Sequence, residues 1–151
     1  MADIKSPKER SANMAKIRSR DTKPEVWLRK QLFARGYRYR KNVSNVPGHP
    51  DIWLAKYGTA VFVHGCFWHR HEGCRYAYMP KSRVEFWTEK FRKNQDRDAV
   101  VCRELAEGGI RELVVWECTI KKMIRSEAER NRCMSEIEAF LCGNRLFAEI
   151  Q

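Results

Sequence analysis

The stretch PDIWLAKYGTAVFVHGC, residues 50–66, decides the fold of this chain. It holds two apolar segments, residues 51–55 and 59–63, separated by Lys-Tyr-Gly. A short break ending in glycine between two such segments is typical of a β-hairpin. We therefore predict two paired strands, which bring the carboxylate of Asp51 close to the carbonyl of Val63.

Helical and extended segments interleave around this hairpin. The sequence predicts a helix capped by Thr22 and Glu25 and ending at Gly36, a strand over 37–42, a helix over 83–107, a strand over 110–116 that delivers Cys118, and a helix from Ser126 to Gly143 carrying Met134, Ile137 and Leu141. No repeat or linker divides the 151 residues. We predict one three-layer α/β domain, residues 1–151, with a central mixed β-sheet.

The net charge of +11 is concentrated at the N-terminal end. Residues 1–42 carry 13 Lys and Arg against 4 Asp and Glu, whereas the rest of the chain carries 17 against 15. Such a segment attracts phosphate backbones without sequence preference. We predict a basic, DNA-contacting arm or helix over residues 1–20. A solvated helix face and an anionic membrane surface are the alternative explanations of the charge alone.

The apolar content excludes a membrane protein. Hydrophobic residues make up 43% of the chain, yet no apolar run approaches the ~20 residues that cross a bilayer. The first ten residues lack the apolar centre of a signal peptide. We expect a soluble, intracellular protein whose six cysteines stay reduced rather than forming disulfides.

Directly after the hairpin, the stretch HGCFWHRHEGC, residues 64–74, crowds three histidines and two cysteines around an aromatic pair. One histidine and three cysteines are typical of a closed, structural zinc site. The sequence offers such a set in Cys66, His71, Cys74 and Cys118. We predict that these four residues bind structural Zn²⁺, and that Cys102, Cys133 and Cys142, on helices, are buried or inert.

A second group of residues suits phosphodiester hydrolysis. Asp51 and the Val63 carbonyl form an all-oxygen corner of the kind that Mg²⁺ prefers. If His71 binds zinc, His69 is free to activate a water molecule. Glu25 offers a second carboxylate. The helix over 83–107 has an apolar stripe interrupted by Asn94 and Asp98, so Asp98 faces inward, where it can orient a histidine.

Six blocks of the chain resemble the very short patch repair (Vsr-type) endonucleases. In order, they are residues 11–25, 47–51, 62–69, 85–87, 94–98 and 116–118. The resemblance implies a fold related to the PD-(D/E)XK restriction enzymes. It also implies a Mg²⁺-dependent enzyme that nicks one strand 5′ of the thymine in a T·G mismatch, the product of 5-methylcytosine deamination within a methyltransferase site.

The resemblance also implies roles for individual residues. Asp51 and the backbone oxygen of Val63 bind Mg²⁺, with Glu25 acting through the water shell of the metal. His69 is the general base, supported by His64 and Asp98. Zinc is held by the four ligands named above. The wedges that enter the base stack are Phe67, Trp68 and Trp87 from the major groove and Met14 from the minor groove.

The implied partner is double-stranded DNA with a T·G mismatch, with mismatch-repair proteins and DNA polymerase I acting downstream. A monomer in the bacterial cytoplasm, acting at the nucleoid, is expected. The chain departs from the best-known family pattern in two places: Val63 replaces threonine, and two residues rather than one separate His71 from Cys74. Two alternatives are a restriction endonuclease of the same fold, and a non-catalytic, zinc-stabilised DNA-binding module.

Overall fold

The structure is a computed structural model that describes residues 21–151, so the predicted arm over residues 1–20 lies outside it. The elements, in chain order, are α1 (Lys23–Ala34), β1 (Arg40–Lys41), β2 (Ile52–Leu54), a 3₁₀ turn (Ala55–Tyr57), β3 (Thr59–His64), α2 (Val84–Glu107), β4 (Arg111–Trp116), α3 (Glu117–Arg125), α4 (Glu127–Cys142) and β5 (Phe147–Ile150).

The five strands form one mixed sheet whose spatial order follows the chain, β1-β2-β3-β4-β5. The predicted hairpin is confirmed: β2 and β3 are antiparallel, and Ile52 lies opposite Val61. The turn between them closes at Gly58, whose φ of 55° lies in the left-handed region that glycine adopts readily. Strand β4 runs parallel to β3, and β5 runs parallel to β4.

Helices cover both faces of the sheet. On one face, Leu113 and Val115 of β4 join the main core with apolar residues of α1, α3 and α4. On the other face, Phe62 of β3 packs with Leu105 of α2. Successive side chains along a strand point to opposite faces of the sheet, so the same apolar strand contributes to the core on both faces. The predicted α/β domain with a mixed sheet is confirmed.

Both predicted helix caps form. The Thr22 hydroxyl accepts a hydrogen bond from the amide of Glu25 at 3.4 Å, and Ser126 does the same for Glu129 at 3.3 Å. The Glu25 carboxylate also accepts a hydrogen bond from the amide of Asp21 at 2.9 Å, one residue before the N-cap.

Several predicted boundaries were wrong. The strand over 37–42 shrinks to two residues, and the structure adds α3 and β5, which were not predicted. Cys118 consequently lies in the first turn of α3 rather than at a strand end. Of the three cysteines predicted to be buried or inert, Cys133 is buried, Cys102 is half-buried and Cys142 is exposed. Both missed elements are short and gain their stability from packing, α3 through buried Ile120 and Met123.

In the part of the chain that the structure covers, the helices are all too short or too polar to cross a membrane.

Candidate active site and metal centre

Asp51 stands immediately before β2 and beside the end of β3. The antiparallel register brings it there, and its Oδ2 accepts a hydrogen bond from the amide of Val63 at 2.7 Å. Burial, with the negative charge of Glu25 nearby, raises the pKa of Asp51 to about 7. A carboxylate that is costly to ionise in isolation is stabilised by a bound cation, so this corner fits a divalent metal.

Glu25 is one of the most deeply buried charged residues, at 3% exposure. Its carboxylate holds the Asp21 amide and lies 3.8 Å from the guanidinium of Arg29. Burial raises the pKa of Glu25 itself. Glu25 therefore anchors the start of α1 while adding negative potential at Asp51.

A second group of side chains lies close together and consists of His64, His69 and Asp98. Each offers one atom that could bind a metal, and these three atoms lie within 4.8 Å of one another. Nδ1 of His69 lies 2.7 Å from Oδ2 of Asp98. The hydrogen bond fixes the ring and leaves Nε2 of His69 free to take a proton. Asp98 comes from α2 and His69 from the loop after β3, so a helix and a loop each supply one partner.

His64, the last residue of β3, stacks its ring on that of His69 with the centroids 3.9 Å apart. Burial, and then the charge of His69, lowers the pKa of His64 to about 3. His64 is therefore a neutral, packed ring that supports His69.

The four predicted zinc ligands converge. Ligand atoms of Cys66, His71, Cys74 and Cys118 all lie within 4.8 Å of one another. Nδ1 of His71 lies 3.4 Å from Sγ of Cys118, and Nε2 lies 2.7 Å from Oε1 of Gln151. A ring nitrogen held by an outer partner while the other faces the centre is the usual arrangement of a ligating histidine.

The longer spacing between His71 and Cys74 does not displace Cys74 from this group. The extra residue is accommodated at Gly73, which takes a φ of 71° and so turns the chain sharply. The set offers four donors, three of them cysteine sulfurs, and therefore fits zinc better than magnesium.

The three predicted wedge residues in the described chain lie together. The centroid of Trp87 is 5.4 Å from that of Phe67 and 5.8 Å from that of Trp68. All three are half-buried. Asn94 donates a hydrogen bond to the backbone carbonyl of Trp68 at 3.0 Å. Met14, the fourth predicted wedge, lies outside the described residues.

The sequence did not reveal the contacts of three residues at this site. Asn94 interrupts the apolar stripe of α2, but its partner was not predicted. Arg70 and Gln151 were not singled out. Gln151 gives no local signal because its partner His71 is 80 positions away.

Comparison with known proteins agrees with the family resemblance found in the sequence. The family model described as DNA mismatch endonuclease Vsr matches residues 2–75. The chain is 47% identical over 138 residues to the Type II nicking enzyme V.NmeAIP of Neisseria meningitidis, covering 91% of this chain and 98% of the relative. It is 41% identical over 128 residues to the Type II nicking enzyme V.XorIIP of Xanthomonas oryzae, covering 85% and 93%.

A third relative extends the match to nearly the whole chain. The DNA mismatch endonuclease Vsr of Escherichia coli is 37% identical over 150 residues, which is 99% of this chain and 94% of the relative. This chain belongs to the Vsr family of DNA mismatch endonucleases.

Proposed function

We propose that this enzyme nicks one strand of duplex DNA on the 5′ side of the thymine in a T·G mismatch, with Mg²⁺ at the catalytic corner and Zn²⁺ as a structural ion. The observation that carries the proposal is the alignment of Asp98, His69 and His64 beside the buried Asp51 carboxylate. A carboxylate corner next to an oriented imidazole is what metal-assisted phosphodiester hydrolysis requires.

In the proposed mechanism, Asp98 keeps the proton of His69 on Nδ1, so Nε2 accepts a proton from the attacking water. The water oxygen forms a bond to phosphorus, and the bond from phosphorus to the leaving strand oxygen breaks. His64 stacks against His69 as a neutral ring and limits its rotation. A proton then returns to the leaving oxygen.

Asp51 and the backbone oxygen of Val63 would hold Mg²⁺, with Glu25 acting through its water shell. The metal would neutralise the charge that develops on the phosphate. The raised pKa of Asp51 supports this role because a nearby cation relieves the cost of its burial.

Cys66, His71, Cys74 and Cys118 would hold Zn²⁺. The bound ion would tie the loop after β3 to the first turn of α3. The loop carries His69 and the wedge residues, so its position would be set by the metal rather than by local secondary structure.

Mismatch recognition is assigned to the aromatic residues. Phe67 and Trp68 belong to the loop that carries His69. They lie next to each other, and Trp68 lies next to Trp87 of α2. Inserting rings between base pairs costs a few kcal/mol of stacking, and a T·G wobble pair lowers that cost relative to T·A. Met14 and the basic segment over residues 1–20 would contribute from the opposite groove and through phosphate contacts.

Two further parts of the proposal concern context. The mixed sheet, with Asp51 before β2 and His64 ending the adjacent β3, supports a relation to the restriction-endonuclease fold. Because the proposed substrate is chromosomal DNA, the proposal also places the enzyme in the bacterial cytoplasm, acting as a monomer ahead of mismatch-repair proteins and DNA polymerase I.

The test is a nicking assay on two duplexes that differ only in a central T·G or T·A pair, with each strand labelled separately. We expect Mg²⁺-dependent cutting of the thymine strand of the T·G duplex alone, and no cutting by Asp51→Asn. Cutting of both strands of the T·A duplex would favour a restriction endonuclease. Binding without any cutting would favour a DNA-binding module.

A further inference from the structure

Arg70 makes an unusual set of contacts in the loop after β3. Its Nη1 donates to the backbone carbonyls of Phe67 at 3.2 Å and Tyr78 at 3.0 Å, and its Nη2 donates to that of Ala77 at 2.8 Å. One guanidinium thus joins two segments of the loop. The rigid, planar arrangement of donors suits arginine to such multiple contacts, which a single ammonium cannot match.

The same guanidinium also ties the loop to α2. Its central carbon lies 3.9 Å from the ring centroid of Phe91 and 5.7 Å from that of Phe67. Phe91 is only 3% exposed, so it is a fixed point of the structure. Contacts between a cation and an aromatic face of this kind are favourable.

The backbone at Arg70 is strained. Its φ of 55° lies in the left-handed region, which is unfavourable for a residue other than glycine. The turn sends the two histidines that flank Arg70 in different directions. His69 contacts Asp98, whereas His71 contacts Cys118. The contacts of the Arg70 side chain offset that cost.

We infer that Arg70 is a positioning residue, whose guanidinium fixes Phe67 and the Tyr78 segment against α2 and so holds the Phe67–Trp68 wedge ready for a mismatched base step. The inference rests on the proposed function. The side-chain hydrogen bonds of Arg70 go to the backbone carbonyls of Phe67, Ala77 and Tyr78, none of which is a predicted zinc ligand. Zinc and Arg70 therefore constrain different parts of the same loop.

The variants separate the side chain from the backbone and from the charge. Arg70→Gly removes the guanidinium but suits a positive φ, so it adds no backbone strain. Arg70→Lys keeps the charge and loses the multiple donors. The matched control is Arg75→Ala: Arg75 belongs to the same loop, but it is exposed, and its hydrogen bond and ring contact are both with its neighbour Tyr76.

The first measurement uses the zinc-bound protein without DNA. ¹⁹F NMR of 5-fluorotryptophan-labelled protein should show five resonances, one for each tryptophan, with that of Trp68 assigned through Trp68→Phe. We expect Arg70→Gly and Arg70→Lys to shift or broaden the Trp68 resonance. The Trp27 resonance, from α1 on the other side of the sheet, should stay unchanged, as should all five resonances in Arg75→Ala.

The second measurement is steady-state nicking. We expect kcat/KM on T·G duplex to fall about tenfold in both Arg70 variants, mainly through KM, which corresponds to ~1.4 kcal/mol. Zinc content and the salt dependence of DNA binding should not change. A merely structural defect would instead lower kcat on T·G duplex together with the folded fraction of the protein.

Three results would overturn the inference. Full rescue by Arg70→Lys would show that charge alone matters. A log–log salt slope reduced by roughly 0.9 would make Arg70 a phosphate contact. An unaltered Trp68 resonance in Arg70→Gly would show that the guanidinium does not hold the wedge. If wild-type enzyme fails to distinguish T·G from T·A while the Trp68 resonance still responds, the proposed function fails and the positioning by Arg70 stands.

Discussion

The imidazole of His69 lies parallel to the imidazole of His64, with 3.9 Å between centroids and 4° between planes. Two protonated rings at this distance would repel each other. Burial lowers the pKa of His64 to about 3, so His64 stays neutral throughout the range in which the enzyme would work. The charged partner of His69 in this cluster is then Asp98, at 2.7 Å from Nδ1.

Asp98→Asn should slow nicking strongly while leaving DNA binding intact. The amide retains the hydrogen bond but no longer stabilises a protonated His69, so we expect a loss of about 10²-fold or more in the single-turnover rate. Binding is measured by fluorescence anisotropy. Asp96→Asn is the control because Asp96 is exposed and pairs with Arg92. Parental rates in Asp98→Asn would remove Asp98 from the mechanism.

Trp68→Ala should lower nicking of T·G duplex at least tenfold without altering zinc content or folding. The substitution removes a stacking surface worth roughly 1–3 kcal/mol per base. Trp68→Phe keeps an aromatic ring and should retain more activity. The rates are compared under single-turnover conditions, with circular dichroism as the folding check. Equal rates for Trp68→Ala and the parent would exclude the wedge role of this ring.

Cys118→Ser should lose the proposed zinc and much of the stability together, because binding at a structural zinc site contributes directly to folding. Natively purified parent should contain about one zinc per chain by elemental analysis, and chelation should lower its Tm. Cys142→Ser is the control, since Cys142 is exposed and outside the cluster. A parent protein free of zinc at full stability would contradict the assignment.

Glu112→Gln should stabilise the protein at neutral pH. Glu112 is 5% exposed, and its Oε1 has no hydrogen-bond partner among the described residues. Burial raises the pKa of Glu112 in the folded state above 4.5. The folded state therefore holds the proton more tightly, and wild-type stability falls as pH rises from the unfolded pKa through the folded one.

Glutamine does not titrate, so Glu112→Gln should gain stability at pH 7.5 and no stability near pH 4. Urea unfolding at the two pH values measures it. The control is Glu107→Gln at the end of α2, where the side chain is exposed. A gain that is the same at both pH values would show that ionisation of Glu112 is not the cause.

Local sequence signals predicted most of the fold. The hairpin over β2 and β3 followed from two apolar segments around a glycine, and the start of α1 followed from the Thr22 cap. The long helix α2 followed from its stripe, including the two polar residues that face inward. The missed elements α3 and β5 are short, and each depends on contacts with the rest of the domain. A helix of nine residues and a strand of four are too short to be stable alone, so packing decides their conformation.

The sequence by itself determined which chemistry was available: the crowded histidines and cysteines, the acidic residue before β2, and the aromatic pair between two potential zinc ligands. Tertiary structure alone decided how these groups meet. Asp98 reaches His69 across 29 residues, Gln151 reaches His71 across 80, and Arg70 ties Phe67 to Ala77 and Tyr78. Hydrogen bonds depend on distance and direction in space, and a linear pattern fixes neither for residues on different elements.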